Sequence, residues 1–381
     1  MGKEGDWVNQ ANNFCPAPWF GMYYHSNSVS PCCTMQTREV SLEDYFESDW
    51  LYSLKKDLLE NKKPTDCNSC WDKESKGLKS TRDRFLKKFR ESDYATAKIE
   101  HLEVRESNLC NLMCRMCNPN DSIKIERELE QHPELKPYYY PSSKQTMSEE
   151  NWANILKISE GVTSLSLTGG EPLLIKRYYD LLDHLSVVNP NVLLKVYTNC
   201  TVYNPIFVEK LLKFRDVEIN MSIDAVGEVA EYQRHGVSWD IVRKNIFQFM
   251  KLPINTKIRS TVSAYSILDV SRFSDFLLEI KDNPERRIDS LSFTAHTVRA
   301  PAALTVNNLN PDLRVRAISQ IDEATDKLSD KLFLSYNREL YSIRKQLLED
   351  DKCNFHRFVA LTKSLDKVRN QSFEKVFGYI I

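Results

Sequence analysis

The chain has 381 residues, and 41% of them are hydrophobic, which is enough to bury the cores of about two to three domains. It carries 52 basic and 53 acidic residues, so its net charge of -1 gives no overall field that would attract nucleic acid or an anionic membrane. The N-terminus lacks the apolar segment of a signal peptide, and no later stretch is apolar enough to cross a bilayer. We therefore expect a cytoplasmic protein that has neither nucleic acid nor a membrane as a partner.

Residues 1–95 are predicted to form a small, cysteine-rich, metal-binding domain. The segment is irregular, with aromatic and turn-rich stretches, and its helical run is LEDYFESDWLYSLKKDLLEN at 42–61. A segment of this kind lacks a large core of its own, and small domains without one commonly depend on a metal. A charged stretch of helical period, 72–92, connects it to the rest of the chain.

Residues 96–305 alternate between strand-like and helix-like segments. Strand, helix, strand at intervals of roughly 30 to 35 residues is typical of right-handed βαβ units around a parallel sheet. We therefore predict an α/β fold, a partial (β/α)6 barrel similar to the TIM barrel, with functional loops at the carboxyl ends of its strands. The six predicted strands are IEHLEVR (99–105), VTSLSLT (162–168), NVLLKVYT (191–198), VEINMSI (217–223), KIRSTVSA (257–264) and IDSLSFTA (288–295).

Two further segments flank or interrupt this alternation. Residues 130–152, between the first two strands, are rich in proline and tyrosine and are predicted to form a loop over one mouth of the barrel. Ser148 within it is predicted to cap the helix that follows. After Pro311 the chain is helical in period, so residues 306–381 are predicted to be a C-terminal helical extension that packs on the outside of the core.

Three of the ten cysteines lie in the run CNLMCRMC, residues 110–117, directly after the first predicted strand. In a reducing cytosol, clustered cysteines more often bind metal than form disulfides. Structural zinc sites need four ligands, and catalytic zinc sites usually include histidine or carboxylate ligands. Neither a fourth cysteine nor such a ligand lies close in sequence here. Three thiolates can instead hold three irons of a 4Fe-4S cluster and leave the fourth iron open. A zinc site completed by a distant ligand, or buried structural cysteines, is the alternative.

The run resembles the CxxxCxxC signature of the radical S-adenosylmethionine (radical SAM) enzymes. The resemblance implies that Cys110, Cys114 and Cys117 hold a 4Fe-4S cluster, and that SAM binds its open iron through amino and carboxylate groups. It also implies reductive cleavage of SAM to a 5'-deoxyadenosyl radical. The family commonly has an aromatic residue before the third cysteine, where this chain has Met116, an apolar and flexible replacement.

A second motif, Gly169-Gly170-Glu171-Pro172, ends the second predicted strand. Paired glycines let the backbone approach a ligand closely, and carbonyls or the Glu171 carboxylate can accept hydrogen bonds from a cationic amino group. The motif resembles the GGEP motif of the same family, which implies that it binds the methionine amine of SAM. Taken alone, paired glycines are more often a turn between strand and helix.

Polar residues also follow the next two predicted strands, and by the resemblance they help to bind SAM. They are Thr198 and Asn199 after the third strand, and Ser222 and Asp224 at the end of the fourth. The resemblance places Ser222 and the following Arg234 on the SAM carboxylate. Helix capping or turn formation is the alternative for each, and Asp224 above all can be a turn residue.

The N-terminal cysteines resemble the auxiliary-cluster domains called twitch and SPASM. On that resemblance we predict a second 4Fe-4S cluster held by Cys15, Cys32, Cys67 and Cys70, with Cys33 as the alternative to Cys32. In the resembling families the auxiliary domain more often follows the radical SAM core, whereas here it comes first. A zinc ribbon is the alternative, because two distant cysteines and a CxxC suit zinc as well.

These motifs together predict an enzyme that uses SAM to form a radical on its substrate, with a peptide or protein side chain as the favoured substrate. The alternative substrate is a nucleoside or other small metabolite, and the alternative of another class is a non-catalytic iron-sulfur sensor or scaffold. An electron donor such as flavodoxin or ferredoxin is expected as a partner. No catalytic acid, base or hydrogen donor can be named from the sequence.

Overall fold

The structure is a computed structural model that describes residues 13–25, 27–141, 147–285, 291–349 and 353–381. Parts of the predicted insertion (142–146) and the first residues of the sixth predicted strand (288–290) lie outside the described residues. The strands are β1 (Gly21–His25), β2 (Ser28–Ser30), β3 (His101–Arg105), β4 (Met113–Cys114), β5 (Ser164–Thr168), β6 (Leu193–Thr198), β7 (Asp216–Ser222), β8 (Arg234–His235), β9 (Asn255–Val262) and β10 (Leu291–Thr297).

Eight of these strands form one sheet in the order β10-β9-β7-β6-β5-β3-β1-β2. All pairings within it are parallel except that of β1 with β2. The six predicted strands are all present as β3, β5, β6, β7, β9 and β10, joined in chain order through helices. The predicted fold class, a mixed α/β partial barrel with a C-terminal helical region, is therefore confirmed.

Sixteen α-helices are found in the described part of the chain, and several of them begin at a side chain that caps the first turn. Ser148 caps α7 by accepting a hydrogen bond from the Asn151 amide, as predicted, and Ser80 with Asp83 forms a capping box at α5. The helices are α1 (Ala17–Phe20), α2 (Leu42–Glu47), α3 (Asp49–Leu59), α4 (Asn68–Ser75), α5 (Thr81–Phe89), α6 (Ile123–Gln131), α7 (Glu149–Ser159), α8 (Lys176–Val188), α9 (Pro205–Leu211), α10 (Gly227–Gln233), α11 (Trp239–Met250), α12 (Val270–Lys281), α13 (Pro311–Lys327), α14 (Leu334–Glu349), α15 (Phe355–Arg369) and α16 (Phe373–Phe377).

The N-terminal segment contributes β1 to the barrel sheet, a strand that the sequence did not predict. β1 pairs in parallel with β3, from Gly21 opposite His101 to His25 opposite Arg105. Its residues GMYYH are almost all buried and lack the alternation of a half-exposed strand, so no periodic signal marks them. Gly21 is required there, because a side chain would lie 2.5 Å from the Pro31 carbonyl oxygen. The hydrogen-bonded sheet thus continues from the N-terminal segment into the barrel.

Apolar side chains fill the space between the sheet and its helices, while alternate residues of the central strands point into the barrel. In β3, for example, Leu102 and Val104 are fully buried in the main core. A second, smaller core cluster surrounds Cys15 and Cys32 in the N-terminal segment. Of the C-terminal helices, α13 packs on α12 and α14 packs on β10. Within the described ranges, no helix is long and apolar enough to cross a membrane.

Candidate active site

A cavity of about 450 Å³ occupies the barrel and opens onto the loops at the carboxyl ends of its strands. Charged and hydroxyl side chains face it from the strands, because the strand residues that point inward are polar at alternate positions. A volume of this size is ordinary for a site that holds a small molecule and its cofactor. Among the residues that line it are Tyr23, Cys33, Glu103, Arg105, Cys110, Cys114, Cys117, Gly169, Gly170, Lys195, Tyr197, Thr198, Asn199, Ser222, Arg234 and Arg259.

The three predicted cluster cysteines, Cys110, Cys114 and Cys117, all line this cavity. Their loop follows β3 and is fixed by short pairing of β4 with β8, which places Cys114 opposite Arg234. The Arg115 amide within the loop donates to the Gln233 carbonyl at 2.8 Å. The sequence-predicted metal ligands and the sequence-predicted arginine are thus brought together by backbone hydrogen bonds.

The three thiols are arranged as a group that a bound cation would stabilise. Burial raises the pKa of Cys110 to about 11, and it raises the pKa of Cys114 and Cys117 as well. Repulsion from the Cys117 thiol raises the pKa of Cys110 and Cys114 further. Positive charge at this point would offset both effects, since thiolates rather than thiols are metal ligands. The donor set and its placement therefore fit an iron-sulfur cluster.

The glycine motif after β5 is pressed against the cysteine loop. A side chain on Gly170 would lie 2.1 Å from the carbonyl oxygen of Leu109, the residue before Cys110. Gly169 has φ +124°, a conformation that residues with a side chain rarely adopt. The Glu171 amide donates to the Leu109 carbonyl at 2.8 Å. The two glycines thus allow two ligand-binding loops to touch.

Glu171 itself does not line the cavity. Its side chain is fully buried and its carboxylate accepts hydrogen bonds from the Thr198 hydroxyl and the Asn199 amide, each at 2.7 Å. The Leu173 amide also donates to it, at 3.3 Å. Burial raises the pKa of Glu171 to about 7, although these donors lower it. The carboxylate therefore joins the ends of β5 and β6, while Gly169, Gly170, Thr198 and Asn199 face the cavity.

Asp224 has a similar supporting position at the end of β7. It is buried, it lies outside the cavity lining, and its carboxylate accepts from Arg234 at 2.7 Å and from the Thr261 amide at 2.6 Å. Arg234 lines the cavity together with Ser222, and its Nη1 lies 3.9 Å from the Cys114 sulfur. The pKa of Arg234 is raised, because the favourable charges of Asp224 and Cys114 outweigh its burial. Asp224 therefore orients a permanent cation beside the cysteine loop.

The C-terminal helix α15 also holds the cysteine loop, which the sequence did not predict. Arg115, between the second and third cysteines, has a fully buried side chain that forms an ion pair with Asp366 of α15. Its guanidinium also stacks on the Tyr232 ring, 3.7 Å from the ring centroid. Arg369 of the same helix forms a buried ion pair with Glu128 of α6, at 2.6 Å. The C-terminal extension is thus part of the support of the candidate site.

The N-terminal cysteines Cys15, Cys32, Cys67 and Cys70 are also brought together, around a small cavity next to the barrel. Burial raises the pKa of Cys15 and Cys32, and it raises the pKa of Cys67 to about 12. The Thr34 hydroxyl lies 3.3 Å from the Cys32 sulfur and 3.9 Å from that of Cys70. These four thiols form the predicted auxiliary set.

Cys33 and Cys200, two other cysteines, have different surroundings. Cys33 lines the barrel cavity beside Glu103, whereas Cys32 lines both that cavity and the small cavity of the group of four. Cys200 is completely buried at φ +60°, outside the cavity lining. Within the described ranges, no three His, Cys, Asp or Glu side chains converge closely enough to hold a single metal ion. The thiols of a 4Fe-4S cluster each bind a different iron.

Several cavity residues were missed because alternation along a strand does not reveal which face is inward. Glu103 and Arg105 of β3 both line the cavity. Lys195, Tyr197 and Arg259 were not singled out, and they line it too. The available signal was that charged residues recur at every second position of strands predicted to be central, where an apolar barrel interior would not have them.

The family model described as "Radical SAM superfamily" matches residues 106–265, which contain the cysteine loop, the glycine motif and Arg234. GTP 3',8-cyclase of Helicobacter pylori (strain HPAG1) is 24% identical over 206 residues, covering 52% of this chain and 57% of that protein. GTP 3',8-cyclase of Nautilia profundicola is 26% identical over 190 residues, covering 46% and 53%. The chain thus spans about half the length of the curated relatives it matches.

Among solved structures, Streptococcus suis SuiB bound to S-adenosylmethionine is similar with a TM-score of 0.43 and 15% identity, covering 85% of this chain and 74% of that one. The prediction of an enzyme is confirmed by the superfamily match and by the relatives. The superfamily implies a 4Fe-4S cluster and SAM as cofactors. The chain therefore contains a radical SAM superfamily domain at residues 106–265.

Proposed function

We propose that this protein reductively cleaves SAM at a 4Fe-4S cluster held by Cys110, Cys114 and Cys117 and abstracts hydrogen from a substrate in the barrel cavity. One observation carries the proposal: the three thiols, the glycine motif and the Arg234–Asp224 pair meet at one mouth of the barrel cavity. A non-catalytic sensor would need the thiols but not the other two features.

When bound, the cluster and SAM supply a 5'-deoxyadenosyl radical by one-electron reduction of the sulfonium. The chain's own residues bind and orient the reactants. Gly169 and Gly170 leave room for the methionine end of SAM, and Arg234, oriented by Asp224, attracts its carboxylate. Thr198, Asn199 and Ser222 offer hydrogen bonds along the same wall. Enclosure by the barrel keeps water from the radical.

The same proposal includes a second 4Fe-4S cluster on Cys15, Cys32, Cys67 and Cys70. Four thiols complete the ligand set of such a cluster, and the arrangement of all four around one small cavity supports it. Cys32 is preferred to Cys33 because, of the two, only Cys32 lines the small cavity. A zinc ion bound by the same four thiols is the competing proposal. The electron that SAM cleavage needs would come from an external donor such as flavodoxin or ferredoxin.

For the substrate, a small metabolite is now better supported than the peptide or protein side chain that the sequence favoured. The supporting observations are that the cavity is enclosed by strands with charged walls, and that the curated relatives carry the name of a nucleotide-modifying enzyme. A peptide substrate stays a prediction, and its test is whether synthetic peptides or small molecules increase SAM consumption.

The cleavage reaction is tested with Cys114→Ala. The reconstituted wild-type protein, given SAM and dithionite without air, should release 5'-deoxyadenosine, and Cys114→Ala should release less than about one hundredth as much, because a cluster with two ligands cannot hold SAM correctly. Chromatography of the products measures this. Cys353→Ala removes an exposed cysteine and serves as the control, with wild-type release expected. Wild-type protein with a full cluster that releases none would refute the proposal.

The second metal site is tested by metal analysis of the same preparations. Two clusters require about eight irons per chain, and Cys67→Ala should reduce this to about four while the remaining irons keep the spectrum of the first cluster. About four irons with one zinc in the wild-type protein would favour the zinc site instead.

A further inference from the structure

Five basic side chains line the barrel cavity or the cavity that adjoins it, and we call them the lumenal cation cluster: Lys73, Arg84, Lys195, Lys257 and Arg259. Arg84 and Arg259 line both the barrel cavity and an adjoining cavity of about 210 Å³. Lys195 lines the first cavity, and Lys73 and Lys257 line the second. The cluster thus lines two adjoining cavities that share Arg84 and Arg259.

Carboxylates near the cluster are too few to neutralise it. Glu218 acts on Lys195 and Lys257, and Glu339 acts on Lys73 but already accepts hydrogen bonds from the Thr297 amide and hydroxyl. For the cluster members, the described residues provide one ion pair within 4 Å, that of Lys257 with Glu218 at 3.6 Å. Like charges held together away from bulk water repel each other strongly, so an unoccupied cluster is unfavourable.

The remaining contacts of the cluster are to neutral groups that leave the charges free. Arg259 lies 2.9 Å from the Nε2 atom of His296 and 5.3 Å from the centre of the Tyr197 ring. Arg84 donates to the Thr81 hydroxyl at 3.0 Å. Burial lowers the pKa of His296 to about 2, with Arg259 and Lys73 lowering it further, so this histidine accepts rather than adds charge. Burial lowers the pKa of Lys195 too, and Lys257, Arg84 and Arg259 add to that effect.

We propose that the lumenal cation cluster binds an oxyanion of the substrate, a phosphate or carboxylate group of a small molecule. This inference rests on the proposed function, in which the substrate occupies the barrel. Lys195 lies three residues before Thr198 on β6 and Arg259 lies opposite Ser222 of β7, so an anion bound between them would lie within about 10 Å, along the strands, of the SAM-facing end. Anchoring the charged end there would leave the other end of the molecule beside the three-cysteine loop.

The experiment measures anion binding to the reconstituted protein in the absence of SAM, so its result does not depend on SAM cleavage. Inorganic pyrophosphate and citrate are titrated by calorimetry at matched low ionic strength. Lys195→Gln and Arg259→Gln should each weaken binding by about tenfold or more, since each removes a charge-assisted hydrogen bond. Lys195→Arg keeps the charge and should bind within about threefold of wild type. Lys345→Gln, on an exposed lysine, should bind as the wild type does.

Preferred binding of pyrophosphate identifies a phosphorylated substrate, and preferred binding of citrate identifies a carboxylated one. Iron content and thermal unfolding equal to wild type in Lys195→Gln would show that lost binding is not lost folding. The proposal is overturned if neither anion binds the wild-type protein, or if the charge-removing variants bind as tightly as Lys345→Gln. SAM cleavage without anion binding would leave the proposed function standing and remove only this inference.

Discussion

At the scale of single residues, the candidate site separates side chains that face the cavity from side chains that hold others in place. Arg234 and Ser222 face it, whereas the buried carboxylates of Glu171 and Asp224 accept hydrogen bonds from the residues around them. Both acidic residues occupy positions that the family resemblance links to SAM. Their contribution in this chain is to keep strand ends and a cation in fixed positions.

The buried carboxyl group of Glu171 predicts a pH-dependent stability. Its pKa is raised from 4.5 to about 7 in the folded protein, so its stabilising contribution is complete below pH 4.5 and is lost as the pH rises through about 7. Glu171→Gln resembles the protonated form at every pH. The free energy of unfolding of the wild type, relative to Glu171→Gln, should therefore fall by up to about 3 kcal/mol between about pH 5 and pH 8.

Urea unfolding of the two apoproteins at several pH values measures this difference. Glu209→Gln, which changes an exposed glutamate, is the control and should follow the wild-type curve. If the free energy of unfolding of the wild type instead rose with pH relative to that of Glu171→Gln, the donors would be holding Glu171 as a carboxylate, with a pKa below its ordinary value.

Much of the residue-level site was predictable, and what was missed has a physical reason. Cys110, Gly170 and Arg234 belong to local patterns whose spacing carries chemical meaning, and the structure places them around one cavity. Lys195 and Arg259 belong to no pattern, because alternation along a strand is the same for either face. Only the direction of the sheet's curvature decides that they point inward, and that depends on contacts far apart in the chain.

At the scale of elements, the loops after β3 and β5 are packed so closely that their fit depends on Gly170. Gly170→Ala should destabilise the protein by about 1–3 kcal/mol and lower cluster occupancy, because the added methyl group overlaps the Leu109 carbonyl and displaces the cysteine loop. Iron content after reconstitution and the thermal midpoint measure the two effects.

The matched control for that substitution is Gly161→Ala, where the added carbon would be 3.9 Å from its nearest neighbour. It should leave iron content unchanged. Full iron occupancy in Gly170→Ala would show that the cysteine loop can shift without loss of its ligand geometry.

The elements themselves were predicted unevenly. The six strands from β3 to β10 that belong to the barrel had either apolar runs or clear alternation, which local sequence expresses directly. β1 has neither, since it is enclosed on both faces, and its place in the sheet depends on a neighbour 80 residues later in the chain. Long-range pairing of this kind leaves no local signal.

At the scale of the whole molecule, the C-terminal extension supports the cysteine loop through the ion pair of Arg115 with Asp366. Asp366→Ala would leave Arg115 as a buried cation without its partner, a change that typically costs about 3–5 kcal/mol. We expect a lower thermal midpoint and weaker retention of iron during gel filtration.

Asp326→Ala, at an exposed position on α13, is the control for this substitution and should behave as the wild type. If Asp366→Ala kept its iron and lost only stability, α15 would support the fold without fixing the loop. Loss of iron at unchanged stability would show that α15 fixes the cysteine loop without contributing to the stability of the fold.

The pairing of β1 with β3 has one more consequence. Cys15 and Cys32 lie shortly before β1 and shortly after β2, and Cys110 follows β3, so both thiol groups are attached to neighbouring strands of one hydrogen-bonded sheet. Sliding one strand past the other by a single residue would turn every side chain to the opposite face. If both clusters are bound as proposed, the distance between them would therefore be set by the register of the backbone hydrogen bonds between β1 and β3.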